Sequence, residues 1–283
     1  MTVPPQHTLS FDVEEWFQVA NHAHACPRES WDGLESRVEL AMGRILDLLR
    51  RREARATFFF LGWIAERHPD LVRRVIDGGH EVASHGYDHR FLQELDPAAL
   101  HEDLERTELA LAAAGAPRPR GFRASTFTLT RRTWWAFDVL VERGYRYDSS
   151  VHPIRHPDYG VPGFEPGIST IETEAGDLVE FPVSTYPLLG RNWPVGGGGY
   201  FRLLPGVVHR ALFASLERMG RPTATYLHPW EVDPDQPRVE APLSKRFRHR
   251  VGLGSTLAKL EAFLERFPCV TMEELLASRG DLA

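Results

Sequence analysis

Short apolar runs alternate along the chain with longer amphipathic segments. Residues 9–13 read as a strand, and Leu34, Val38, Ala41, Ile45, Leu48 and Leu49 then recur at helical spacing up to about Arg52. Residues 56–61, Ala-Thr-Phe-Phe-Phe-Leu, form a second strand pattern bounded by Gly62. The spacing predicts a helix over 69–77, closed by Gly78-Gly79, and a third strand over 81–83 that ends at Ser84. Asp96 is placed to cap a helix running to Ala114, with Pro97 in its first position. Further strands are predicted over 120–123, 146–148, 178–183 and 223–227, and further helices over 131–143, 207–219, 255–266 and 272–277. Repeated strand–helix units imply a parallel sheet, and this many in one chain predict an α/β fold that closes, or nearly closes, into a barrel. The segments 17–33, 149–177, 186–204 and 229–253, rich in Gly and Pro, are expected to be irregular loops that build a cleft.

Composition narrows the partners. The chain has 283 residues, 42% hydrophobic and 25% charged, enough for a core that needs no disulfide staple. Its two cysteines, Cys26 and Cys269, lie at opposite ends and cannot form a Cys-x-x-Cys site. A net charge of −6 argues against nucleic acid or an anionic membrane as the main partner. No apolar run approaches the roughly 20 residues that span a bilayer. Met1 to His7 lacks a basic segment followed by an apolar one, so a cytoplasmic location is expected.

The chemistry-bearing candidates begin with Ser84-His85-Gly86-Tyr87-Asp88-His89, directly after the third strand. One turn of helix would put His85 and His89 on the same face, close enough to grip one metal ion. Spacing alone carries little weight, because random placement of 13 histidines gives on the order of 0.6 such pairs. His152 and His156 share the spacing, but Pro153 and Pro157 deny them a regular turn, which favours loop packing. The ends of the predicted strands add the company. They read Phe11-Asp12-Val13-Glu14-Glu15, Ser84-His85, Gly121-Phe122-Arg123, Tyr147-Asp148-Ser149-Ser150 and Tyr226-Leu227-His228-Pro229-Trp230. In parallel barrels the reactive groups lie at such C-terminal strand ends. Because residues i and i+2 of a strand point the same way, Asp12 and Glu14 can face one pocket while Glu15 turns away.

This constellation resembles the polysaccharide deacetylases of the NodB-homology group, carbohydrate esterase family four, whose motifs have counterparts here in order from Asp12 to His228. Residues 11–16, 147–153, 197–204 and 227–231 further resemble the branch tied to bacterial exopolysaccharide and exosortase gene clusters. The resemblance implies a distorted (β/α)7 barrel as a single domain over 1–283, with a core at about 8–230 and a C-terminal extension at about 231–283. It implies removal of N-acetyl groups from N-acetylhexosamine units of a polysaccharide, with Glu14, His85 and His89 holding Zn2+ (or Co2+, Ni2+ or Fe2+). Most members carry adjacent aspartates in the first motif; Val13 stands at the second of those positions, and Glu14 takes the ligand role as in a minor branch with spaced acids.

The implied catalytic roles are Asp12 as general base, Arg123 as its holder, His228 as general acid and Asp148 as the partner of the His228 ring. The backbone N–H of Thr126 corresponds to the family's oxyanion donor, with Ser125 where proline is usual. Gly196-Gly197-Gly198-Gly199-Tyr200 lacks the lysine and Ser/Thr of a phosphate loop and suits close backbone approach to a sugar instead. Trp16, Trp193 and Trp230 are candidates for stacking on pyranose rings, equally plausible as core, with Tyr200 and Leu227 as further substrate contacts. A cytoplasmic enzyme would meet such a polymer as a lipid-linked intermediate, at the membrane periphery. Two alternatives stay open: hydrolysis of a small or cyclic amide on the same fold, and a non-catalytic carbohydrate-binding barrel. A zincin protease is excluded because Gly86 stands where His-Glu-x-x-His needs glutamate.

Overall fold

The computed structural model describes residues 6–156, 159–240 and 242–282. Strands β1 (His7–Val13), β2 (Thr57–Phe60), β3 (Glu81–Ser84), β4 (Gly121–Phe122), β5 (Tyr147–Asp148), β6 (Ser169–Thr173), β7 (Gly176–Glu180), β10 (Thr223–Leu227) and β11 (Cys269–Val270) form one sheet. Strands β8 (Thr185–Leu188) and β9 (Arg191–Pro194) form a separate hairpin. The helices are α1 (Val38–Arg51), α2 (Gly62–Arg67), α3 (Pro69–Asp77), α4 (Pro97–Ala113), α5 (Ala136–Glu142), α6 (Gly198–Leu203), α7 (Gly206–Arg218), α8 (Leu243–Arg250), α9 (Leu253–Arg266) and α10 (Met272–Arg279). None is long and apolar enough to cross a membrane among the described residues.

The sheet order is β10-β1-β2-β3-β4-β5-β7-β6, parallel from β10 through β7, with β6 returning antiparallel at the edge. This is the predicted distorted (β/α)7 arrangement, with a seam between β7 and β10. Single contacts span the seam: Ser184 N–H donates to Ala224 O at 3.1 Å, and Tyr226 N–H donates to Gly196 O at 2.8 Å. The two-residue periodicity of β1 sorts its side chains. Leu9, Phe11 and Val13 join the main apolar core with Ile45, Leu48 and Phe58, whereas Ser10 and Asp12 turn to the barrel interior.

Sequence and structure part company where packing overrides pattern. α1 starts at Val38 rather than at 34 because the Glu15 carboxylate accepts from Arg37 N–H and Val38 N–H, which ends the preceding turn there. The segments expected to be irregular contain β6, the β8–β9 hairpin, α6 and α8. The C-terminal residues are not simply appended. β11 pairs with His7 and Thr8, below the point where β2 begins pairing at Ser10, so the chain's end completes the bottom of the first strand's ladder.

Candidate active site

The C-terminal ends of β1, β3, β4 and β10 bring the key side chains to one rim. Asp12 and Glu14 leave β1 on the same side, each almost fully buried. Glu15 turns away and caps α1, its carboxylate accepting from the Ser36 hydroxyl and two backbone amides. His85 follows β3 directly. The turn after it is not the predicted helix: Gly86 at φ 76° and His89 at φ 60° reverse the chain, and this reversal brings the two imidazoles to 5.6 Å between centroids. Arg28 holds the turn from outside, donating to Asp88 O and His89 O.

Glu14, His85 and His89 offer ligand atoms that all lie within 4.8 Å of one another, and no other such group occurs among the described residues. Glu14 Oε2 lies 2.9 Å from His89 Nε2, yet that buried oxygen has no hydrogen-bond partner. Two atoms this close without hydrogen-bond geometry converge on a third point, as ligand atoms do. His85 Nδ1–H donates to Arg123 O at 2.7 Å, which fixes the tautomer and leaves Nε2 as the free lone pair. Burial lowers the His85 pKa to about 4, so the ring is neutral as a ligand must be. Burial pushes the Glu14 carboxyl up, but His89, His228 and His85 override it and hold the group at about 2. Trp230 N–H donates to Glu14 Oε1 at 3.0 Å, orienting the carboxylate. The residue set therefore fits a divalent ion: two imidazoles, one ionised carboxylate and hydrogen bonds behind them.

Beside this group, Arg123 is fully buried and donates from Nη1 to Asp12 Oδ1 at 2.6 Å and to Ser10 Oγ at 2.8 Å. Its Nε and Nη2 donate to Ser149 O and Ser149 Oγ, and its guanidinium lies over the Phe59 ring. Asp12 thus keeps Oδ2 for the pocket, where His228 Nε2 stands 4.0 Å away and also 3.6 Å from Glu14 Oε1. The His228 side chain is one-fifth exposed, so it stands at the mouth above the buried acids. Burial would depress its pKa; Glu14, Glu231 and Asp12 outweigh that and raise it to about 9. After β4, Thr126 and Phe127 adopt left-handed backbone at φ 53° and φ 55°. Ser125, where proline is usual, ties this loop to the turn after β3 by donating to His85 O.

Several expectations need correction. Asp148 does not reach His228: Ser150 N–H and Ser150 Oγ–H occupy its oxygens, and the β5–β7 register sets it beside Glu180. Burial raises both of these acids, and Glu180 in turn accepts from Val151 N–H. The partner of His228 is Glu231, whose Oε1 accepts from Nδ1–H at 3.3 Å. Only its position three residues after His228, on the turn opened by Pro229, marked Glu231 in the sequence. Trp16 is buried against Phe17 and donates to Glu35 O, and Trp230 is sandwiched between His228 and His249, so neither presents a face to a sugar. Leu227 is wholly buried in the apolar core, on the far side of β10 from the pocket. Trp193, on β9, and Tyr200, on α6, remain exposed. Gly196–Gly198 approach the protein itself rather than a sugar: a Cβ on Gly196 would meet Ala224 O at 2.5 Å, and one on Gly198 would meet Glu231 Oε2 at 2.0 Å. His152 and His156 both stack on Tyr159, as the loop reading expects; Pro157 lies outside the described residues. A separate groove lined by Leu46, Leu49, Arg50, Arg74 and His80 adjoins the N-terminal ends of β2 and β3 and is remote from this chemistry.

Comparison with known proteins gives a consistent picture. Residues 32–147 match the polysaccharide deacetylase family model, and residues 149–277 match a domain of unknown function (DUF3473). The peptidoglycan deacetylase-like protein FGM2 of Gibberella zeae is 25% identical over 244 residues, covering 81% of this chain and 70% of that one. A chitooligosaccharide deacetylase of Bradyrhizobium sp. is 32% identical over 130 residues, 45% of this chain, and the match spans only 56% of that protein. The crystal structure of a candidate polysaccharide deacetylase from Mycobacterium smegmatis superposes with a TM-score of 0.65 at 20% identity, covering 99% of this chain and 93% of that one. One sheet takes strands from both matched segments, and the site draws His85, His89 and Arg123 from the first and Ser149, His228 and Glu231 from the second.

Proposed function

The chain belongs to the polysaccharide deacetylase family, and on that premise we propose that it is a metal-dependent hydrolase removing N-acetyl groups from N-acetylhexosamine units of a bacterial exopolysaccharide. The observation that carries this reading is the convergence of Glu14, His85 and His89 beside the buried Asp12–Arg123 pair, with His228 at the mouth. A divalent ion on Glu14, His85 and His89, zinc foremost, would acidify a water and polarise the acetamide carbonyl. Asp12 Oδ2 takes the proton of the attacking water, because Arg123 occupies Oδ1 and fixes the carboxylate plane. The backbone N–H of Thr126 donates to the carbonyl oxygen as charge builds on it. His228 Nε2 gives its proton to the departing nitrogen, so acetate and a free amine leave. The exposed Trp193 and Tyr200 serve as the sugar contacts.

We further propose that residues 1–283 act as one catalytic unit, since neither matched segment alone holds both the metal ligands and His228. The test combines metal analysis with acetate release from N-acetylated oligosaccharides, for wild type and Asp12→Asn. Stoichiometric metal in both proteins with activity only in wild type is expected, with no turnover of cyclic ureides. Protein purified without bound metal, and not activated by added zinc, would overturn the reading.

A further inference from the structure

We propose that Glu231, braced by Arg202 and seated beneath Gly198, is the positioning residue that fixes the ring orientation and tautomer of His228. The catalytic consequence rests on the deacetylase reading above; the structural claim does not. Glu231 sits three residues beyond His228 on the 3-10 turn Pro229–Val232, and Pro229 at the first position holds that turn closed. This geometry returns the carboxylate to the Nδ1 side of the ring at 3.3 Å, so that Nε2 alone faces Asp12 and Glu14. The carboxylate is almost fully buried, with no hydrogen-bond partner on Oε2 among the described residues. It is held in place by charge and by shape.

The charge is Arg202, also buried, with Nε 3.4 Å from Glu231 Oε1. Arg202 cannot swing away, because it donates to His249 O, Val251 O and Arg248 O at the end of α8. Lys259 in turn anchors α6 by donating to Arg202 O and Leu204 O. The shape is Gly198, which starts α6 directly over the carboxylate, where any side chain would collide with both oxygens at 2.0 and 2.4 Å. The glycine at 198 is thus explained as room for Glu231. Asp148 is excluded from the role because Ser150 N–H and Ser150 Oγ–H hold both of its oxygens.

The test has two arms. In metal-free protein labelled with 15N-histidine, the His228 Nδ1 proton gives a downfield resonance, assigned by its loss in His228→Gln. Glu231→Gln is expected to shift it upfield, and Asp148→Asn to leave it in place. Persistence of the resonance in Glu231→Gln, or its loss in Asp148→Asn, overturns the assignment whether or not the protein deacetylates anything. In metal-loaded enzyme, Glu231→Gln should lower kcat for N-acetylated oligosaccharides by about 100-fold with KM little changed. Hydrolysis of p-nitrophenyl acetate should stay within about two-fold, because a phenolate departs without needing a proton. Equal loss on amide and ester would show mere disruption of the fold and overturn the proposal. Gly198→Ala displaces the carboxylate without altering its chemistry and should reproduce the amide-selective loss, which keeps the idea testable if Glu231→Gln folds poorly.

Discussion

Arg123→Met removes the one guanidinium in the barrel interior that touches Asp12, and its cost can be worked from the contacts. Arg123 is 0% exposed and donates to Asp12, Ser10 and Ser149 at 2.6–3.0 Å. Methionine fills much of the volume over Phe59 but leaves Asp12, only 1% exposed, as an uncompensated buried charge. Breaking a buried pair from one side costs about 3–5 kcal/mol, most of it from the partner left behind. The same logic makes the loss conditional: in an Asp12→Asn background there is no stranded charge, so the second substitution should cost about 2 kcal/mol less. Urea unfolding of wild type, both single variants and the double variant, all in chelator so that no metal enters, measures the cycle. A loss below about 1 kcal/mol for Arg123→Met, or strict additivity with Asp12→Asn, would refute the claim that this pair stands on mutual charge.

The remaining expectations divide by residue. Glu14→Gln should weaken zinc affinity by at least about 100-fold and Trp230→Phe by about 10-fold in chelator competition, whereas Glu15→Gln should bind zinc like wild type and lose about 1 kcal/mol of stability. Loss of zinc in Glu15→Gln rather than Glu14→Gln would reverse the ligand assignment. Glu81, buried with Thr57 and Tyr147 donating to it, is raised by burial from 4.5 to about 7. Its contribution is therefore full below pH 4.5 and is lost as pH rises through 7, by at most about 3 kcal/mol; Glu81→Gln should flatten that limb of the stability profile. Trp193→Ala should raise KM for oligosaccharides with kcat and unfolding midpoint unchanged, while Trp16→Ala should cost about 3–5 kcal/mol of stability.

How much of this was legible depends on the range of the interaction concerned. Asp12 and Glu14 could be placed in one pocket because a strand's two-residue period is a local property, and Glu15 was turned away by the same rule. His85 and His89 were legible as a pair but not as a turn, since positive φ at His89 is imposed by packing and by Arg28 rather than by its own preference. Asp148 was misassigned for a different reason. Its fate is decided by the ladder that sets it beside Glu180, a register between distant strands that local pattern does not carry. Trp16 and Trp230 failed as sugar platforms because burial of an aromatic in a loop is a tertiary outcome. The β8–β9 hairpin hid behind Pro187 and Pro194, which are tolerated in a short two-stranded ribbon but read as strand breakers. α8 hid because its exposed, strongly basic face lacks the apolar stripe that marks a helix.

The interior of the barrel buries its carboxylates in two ways, and the division follows whether a positive group stands beside them. At the rim, Asp12 has Arg123, Glu231 has Arg202, and Glu14 has the imidazoles with which it would share an ion. Each is matched to a positive group that aims it, which is the condition for accepting a proton, binding a cation or steering a ring. On β3, β5 and β7, Glu81, Asp148 and Glu180 form no ion pair among the described residues, are shifted upward by burial, and accept hydrogen bonds from Thr57, Tyr147, Ser150 and Val151 in the packing. Arg123 marks the border, since one end of its guanidinium serves Asp12 and the other fastens Ser149 and, through Ser149 Oγ–H, Phe181 O across the seam side of the sheet. A pocket that buries carboxylates away from water needs such fixed cations beside them. The cost of burying these acids is thereby offset in the resting protein rather than at the moment of reaction, which is what preorganised catalysis requires.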